Sequence, residues 1–312
     1  MRRPWRVVVR IAVGAVLLAL VLWYVDPPAL WAKLSGADLR LVVVAVLVSA
    51  AANLLSALRW ANIARGLGLT APRGRLILMY ARGITTNMLL PGATLSGDLL
   101  RSVQLSRLDN PFMRSALSVL LDRVSGLWVL CALSLLATAG VALWSANASS
   151  SNGVAPHELT LYLLALVVVT ATPFIPLPFS ALERSRVRVV AAWAARWEHL
   201  REQIRQARPA LVASLWQSLA VQFLSAGSLW IGSLALGVSL SYPVMLAAAA
   251  PIFVMAALPI GVAGFGTREL AAVVVLGFAG VPGDQATATA LLYGLAAVLQ
   301  GIAAAPLFLI DR

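Results

Sequence analysis

The sequence predicts an all-α, polytopic transmembrane helical bundle, with about six full spans plus interrupted, re-entrant segments, and three observations carry that prediction. First, 61% of the 312 residues are hydrophobic and 12% are charged, which is more apolar surface than one soluble core can hide. Second, apolar runs long enough to cross a bilayer, about 20 residues at a rise of 1.5 Å each, recur along the chain. Third, these runs are apolar all round, as in Leu41–Val48 and Leu161–Val169. That excludes the alternating segments of a spanning barrel.

The first run, Val7–Val25, follows Arg2, Arg3 and Arg6 and ends at Asp26-Pro27-Pro28. It is long for the apolar region of a signal peptide and no small-residue cleavage site follows, so it reads as an uncleaved span. A second run, Leu39–Leu58, ends in the basic cluster Arg59, Arg65, Arg73 and Arg75. A third is expected over about Arg114–Leu143 and a fourth over Leu159–Phe179. The loop Ser145–His157 between them has neither Lys nor Arg. The fifth span follows Pro209 and reaches about Leu236, and the last covers about Ala286–Ile310. The whole, residues 1–312, reads as one integral membrane domain.

The net charge of +12 would suit nucleic acid. The basic residues, however, sit between apolar runs, where the excess of Lys and Arg on the cytoplasmic side of a membrane puts them. No nucleic-acid partner is expected. Residues 181–208 form the most basic of these loops, and Val189, Trp193, Trp197, Leu200 and Ile204 give it one apolar face. Such a helix lies in the headgroup plane or packs under the spans; the stripe is the same in both cases. The placement of Arg predicts a multi-pass protein of the cell (cytoplasmic) membrane with both termini cytoplasmic. The single cysteine, Cys131, lies in an apolar run, and His157 and His199 have no second ligand nearby. No metal and no cofactor is therefore expected.

Three apolar pieces are too short to cross alone: Leu76–Leu90, Val244–Leu258 and Leu270–Ala279. They define two interrupted segments, 76–101 and 244–279, whose breaks are alike. One reads Leu90-Pro91-Gly92 and runs through Gly97 and Asp98 to Arg101; the other reads Leu258-Pro259-Ile260-Gly261 and runs through Gly264 and Gly266 to Arg268-Glu269. Irregular backbone at membrane depth is tolerated only beside protein or a wet cavity. Matching interruptions in two halves suggest an internal inverted repeat around a binding site. Glycine lets backbone approach a ligand, helix N-termini favour anions, and an arginine adds a planar fork of donors suited to phosphate. Each arginine could equally well pair only with Asp98 or Glu269. Asp122-Arg123 lies deep within the third span, where charge is expensive and hence functional by default. Adjacent helical residues diverge, so these two should pair with other elements. The candidate substrate-binding residues are Arg101, Arg268, Asp98, Glu269, Asp122, Arg123, Gly92, Gly97, Gly264 and Gly266. Asn53, Gln217, Gln222 and Gln300 are read as hydrogen-bonding links between helices and left out.

Arg59-Trp60, Leu90-Pro91-Gly92 with Gly97-Asp98 and Arg101, Asp122-Arg123 with Gly126-Leu127, and Gly264-Phe265-Gly266-Thr267-Arg268-Glu269 together resemble the transmembrane domain of lysylphosphatidylglycerol synthases. The resemblance covers essentially the whole chain. It implies a flippase-like domain that moves a lipid between leaflets, with aminoacylated phosphatidylglycerol as the lipid in bifunctional relatives. The soluble synthase domain of those relatives is not expected within these residues. Ser96-Gly97 stands where the family has a pair of glycines, which leaves the identity of the lipid open.

Three functions follow as expectations. The first is a translocase or lipid-binding transporter for an anionic, glyco- or polyprenyl-linked headgroup, working without ATP because no P-loop occurs. The second is a membrane-embedded lipid-modifying enzyme using Asp98, Asp122 and Glu269 as acid–base groups. The third is a non-transporting partner of a lipid-synthesis enzyme, docked through 181–208. The topology is testable by cysteine labelling in intact cells: Ser149→Cys should react only from outside. Reaction from the cytoplasm would reverse the orientation.

Overall fold

The computed structural model describes residues 27–89, 95–147, 164, 167–168, 202–258 and 264–309. The first expected span, nearly all of the fourth, most of the basic loop, and Gly92 and Gly261 lie outside the described residues. Those that are described fold entirely into helices and short turns: α1 (Pro27–Ser35), α2 (Leu39–Gly66), α3 (Arg73–Leu89), α4 (Leu95–Ser106), α5 (Phe112–Asn147), α6 (Arg208–Ala235), α7 (Tyr242–Ala257), α8 (Thr267–Gly277) and α9 (Gly283–Ala304). A 3-10 turn, Ala305–Leu309, follows α9. Among the described residues, four helices are long and apolar enough to cross a membrane: Leu39–Gly66, Phe112–Trp144, Arg208–Ala235 and Gly283–Leu309. The bundle is the predicted all-α architecture.

Helices α2 and α6 run antiparallel along their whole length. Asp38 N–H donates to Ala235 O at one end, Ser228 Oγ to Ala45 O further in, and Asn62 Nδ2 to Gln217 Oε1 toward the other end. The contact face is built of small residues. Ala45, Ser49, Ala52, Ser56 and Ala57 are buried on α2, as are Ser214, Ser218 and Ala226 on α6. In lipid there is no hydrophobic drive between helices, so close approach of small side chains and hydrogen bonds hold such a pair. α2 also corrects the sequence reading. It continues past Leu58 to Gly66, and Arg59 is 5% exposed, so Arg59 belongs inside the bundle rather than to a solvated loop.

The two interrupted segments are helical hairpins, α3–α4 and α7–α8. The open end of the first lies at the Gly66 end of α2, where Asn110 ties the chain before α5 to Thr70. The open end of the second follows Ala235, at the Asp38 end. The hairpins therefore enter the bundle from opposite ends. Each lays one arm on α5 and one on α9, in exchanged order: α3 packs on α9 and α4 on α5, while α7 packs on α5 and α8 on α9. Thr85 Oγ1 donates to Gly301 O, and Ser134 Oγ on α5 bridges Leu246 O and Ala250 N–H of α7.

Within the first hairpin the arms touch through Gly97. Its N–H donates to Asn87 Oδ1 at 2.7 Å, and a Cβ there would meet Gly83 O and the Asn87 side chain. Gly97→Ala should therefore lower stability by about 1–3 kcal/mol, read as a lower thermal midpoint of the detergent-solubilised protein. An unchanged midpoint would show that the arms do not close on this residue.

Candidate functional site

Between the hairpins lies a cavity of about 760 Å³, reached by residues of every helix from α2 to α9. Its charged wall is an ordered chain of five side chains. Arg59 Nε donates to Asp122 Oδ1 at 2.9 Å, and Arg101 Nη1 to Asp122 Oδ2 at 3.4 Å. Arg101 Nη2 donates to Asp98 Oδ1 at 2.7 Å. Arg123 forks onto the same carboxylate, Nε to Oδ2 and Nη2 to Oδ1, each at 2.8 Å. The signs alternate: Arg59, Asp122, Arg101, Asp98, Arg123. Three cations and two anions leave one positive charge.

Burial differs along the chain. Arg59, Arg101 and Asp122 are 5%, 2% and 1% exposed, whereas the Arg123 side chain at the cavity end is 35% exposed. Arg59 spends its remaining donors on Ser218 Oγ and Asp122 O. Arg101 lies over the rings of Trp60 and Tyr80, 4.9 and 4.6 Å from the centroids, two cation–π contacts that suit a desolvated guanidinium. The adjacent residues Asp122 and Arg123 do turn to different partners, as helical geometry requires.

The second hairpin supplies a separate pair. Arg268 donates to Glu269 Oε1 from Nε and Nη2, at 3.1 and 2.7 Å. Glu269 Oε2 accepts Gly266 N–H at 2.6 Å. One carboxylate thus caps the start of α8 and neutralises the arginine, whose guanidinium also lies 4.8 Å from the Phe265 centroid. Gly264 and Gly266 have φ of +77° and +86°, a region that side chains with a Cβ avoid. The turn depends on them.

Asp98, Asp122, Arg123 and Arg268 line the large cavity together with Asn87, Met88, Val254 and Leu258 from beside the two breaks. Arg101 lines a smaller adjoining pocket, which shares Asn53, Tyr80, Asn87, Arg123 and Tyr293 with the large one. Gly97 and Glu269 brace this wall, and Gly92 lies outside the described residues. Sequence reasoning passed over Arg59, whose signal was the return of apolar residues at Trp60, Ala61, Ile63 and Ala64. Asn53 and Gln222 do link helices, to Gln300 and to Gly126 O, yet both also line the cavity. Tyr80, Asn87 and Tyr293 carried no distinguishing pattern.

Fold and site define a polytopic helical membrane protein with a charged cavity between two opposed hairpins. Residues 7–305 match the family model described as lysylphosphatidylglycerol synthase TM region, and the chain belongs to that family of membrane proteins linked to lipid handling. A comparison with curated proteins gives no match.

Asp122 is the test of this wall. Asp122→Asn leaves Arg59 and Arg101 buried without their shared carboxylate and should cost about 3–5 kcal/mol. Arg123→Gln, at the exposed end, should cost under about 1 kcal/mol. Thermal unfolding of the two purified variants compares them directly; equal losses would show that the charges are not ranked by burial.

Proposed function

We propose that the protein binds a lipid with a phosphate-bearing headgroup in this cavity and moves it between leaflets, as a single integral unit of the cell membrane with both termini cytoplasmic. The observation that carries the reading is the single surplus positive charge of the wall, which ends at the part-exposed Arg123 in a cavity that five charged side chains on four helices share with aliphatic and neutral polar ones. Leu95, Leu99, Leu120 and Leu127 line that cavity and are themselves 40% or more exposed. An amphiphile can keep its tails against such leucines while its headgroup reaches the guanidinium.

The mechanism follows from the pairing. A phosphate oxygen offers Arg123 the same planar partner that Asp98 offers now, and guanidinium recognises both bidentately. Asp98 stands on α4, one arm of a hairpin, and Arg123 on α5. Phosphate binding therefore competes with a contact that fixes α4 against α5, coupling headgroup occupancy to the seat of the hairpin. The exchanged packing of the two hairpins supports an approximate two-fold relation between them, so that the same movement at the other hairpin would open the opposite end. Arg101 and Arg268 serve this site from its two sides. The pairing of Asp98, Asp122 and Glu269 with arginines favours binding over acid–base chemistry, since a general base needs its lone pairs for substrate.

Reconstitution into liposomes with labelled phospholipids tests the proposal. The wild-type chain should exchange lipid between leaflets; Arg123→Gln should slow exchange at least about tenfold, a change of about 1.4 kcal/mol in barrier. Arg101→Lys and Arg268→Lys, which keep charge but lose the fork, should slow it as well. Chemical conversion of the lipid would make the protein an enzyme, and neither exchange nor conversion would leave it a partner of a lipid-synthesis enzyme.

A further inference from the structure

Helix α4 divides two spaces. Leu95, Asp98, Leu99 and Ser102 on one of its faces line the large cavity, while Arg101 on another lines the smaller pocket of about 170 Å³. Ser49 and Asn53 of α2 and Ile84 and Asn87 of α3 stand on the other walls of that pocket. At about 30 Å³ per water in the liquid, it holds roughly five or six waters among polar side chains. Asn53, Asn87 and Arg123 line both spaces, so water pushed out of one has a way into the other.

The two ends of α4 are held differently. Toward its outer end Leu105 is fully buried, packed with Trp60, Ile63, Leu76 and Leu117, and a close-packed interior does not yield. Its inner end has open space on two faces. There Asp98 and Arg101 hold it to α5, and Gly97 N–H holds it to Asn87 of α3. α3 is in turn fixed along α9 and the turn that follows. Arg82 Nε and Nη2 donate to Leu307 O at 3.2 and 2.9 Å, and Thr85 Oγ1 donates to Gly301 O at 2.7 Å. Met88 covers Gly301, where a Cβ would collide with it. Arg82, Thr85 and Met88 recur at every third position, which places them on one helix face. Contacts in one line act as a hinge: a body turns about them without breaking any.

Resting on the proposed function, we infer that α4 is a movable partition, and that the smaller pocket is the room it moves into rather than a place where the headgroup binds. When a phosphate takes Arg123 from Asp98, α4 loses the forked contact that seats its inner end on α5. The hairpin then turns about the α3–α9 line, its inner end displaces the pocket water, and the large cavity widens by the volume the pocket gives up. Arg101 stays on Asp122, because its side chain is long enough to follow a shifted backbone. Entering a wet pocket costs displaced water, whereas entering packed side chains would require the core to be rebuilt. The pocket therefore bears on exchange and leaves binding alone.

Filling the pocket tests this. Ser49 and Ile84 line it and not the large cavity. Ile84→Trp fills it from α3 and Ser49→Leu from α2, while Ile84→Ala enlarges it. Each full-length variant is read twice with phosphatidylglycerol as the probe: equilibrium binding in detergent by native mass spectrometry, and exchange between leaflets of liposomes. Both filled variants should bind within about threefold of the wild-type affinity and exchange at least about tenfold more slowly. Ile84→Ala should exchange at the wild-type rate or faster. Thermal midpoints identify a filled variant that does not fold, and the one filled from the other wall then decides. Wild-type exchange by a folded, filled variant would overturn the inference. So would a loss of binding equal to the loss of exchange, which would make the pocket part of the headgroup site, or an Ile84→Ala variant as slow as Ile84→Trp. A wild-type chain that binds and exchanges no lipid overturns the proposed function, and this inference with it.

Discussion

The structure depends on one buried carboxylate. Asp122 sits within a 36-residue helix, 1% exposed, and holds Arg59 on its one side and Arg101 on its other. Bringing any of these charges out of water costs several kcal/mol, and pairing repays it only when geometry is good and further hydrogen bonds satisfy what remains. Here the further bonds exist: Ser218 and the Asp122 carbonyl for Arg59, two aromatic faces and Asp98 for Arg101. The consequence is positional. Arg59 ties α2 to α5, and Arg101 and Arg123 both tie α4 to α5, so releasing Arg123 from Asp98 loosens the first hairpin while the 3.4 Å contact of Arg101 with Asp122 still links it to α5.

Room for these guanidiniums comes from glycine. A Cβ at Gly126 would come within 2.9 Å of Arg59 Nη1, one at Gly83 within 3.3 Å of Arg101 Cγ, and one at Gly294 would collide with Arg268. Each of these three arginines thus lies against a backbone stripped of its side chain on a neighbouring helix. Small residues along α2 and α6 do the same for the long antiparallel pair. The hairpins fit into what is left, one from each end, with their inner ends at a common cavity. Packing, charge and cavity are consequences of one arrangement rather than three separate features.

Much of this was legible in the sequence, because lipid makes the rules strict. Uninterrupted apolar length marked α2, α5, α6 and α9, and runs too short to cross marked α3, α7 and α8. Asp122 and Arg123 stood out as charges where charge is costly, and Asp98 and Arg268 as charges beside the glycine-containing breaks. Arg59 did not, because reading a span to its first arginine assumes that the charge seeks water, whereas Asp122 on another helix receives it 63 residues away. Asn53, Asn87 and Tyr293 escaped for a different reason: neutral polar residues serve equally as links between helices and as a pocket lining, and only their three-dimensional convergence separates the two. Likewise Arg101 and Arg268 look alike in sequence, while their pairing leaves Arg123 as the part-exposed cation of the wall.

The central claim is that the end of the alternating charge chain meets a lipid phosphate inside the cavity. A cryo-EM structure of the protein in nanodiscs containing phosphatidylglycerol measures this most directly. The account predicts headgroup density between the hairpins, with a phosphate oxygen within hydrogen-bond reach of the Arg123 guanidinium, about 2.7–2.9 Å, and acyl density along Leu95, Leu99 and Leu120. Lipid confined to the outer surface of the bundle, with Arg123 closed onto Asp98 and no headgroup between the hairpins, would contradict it.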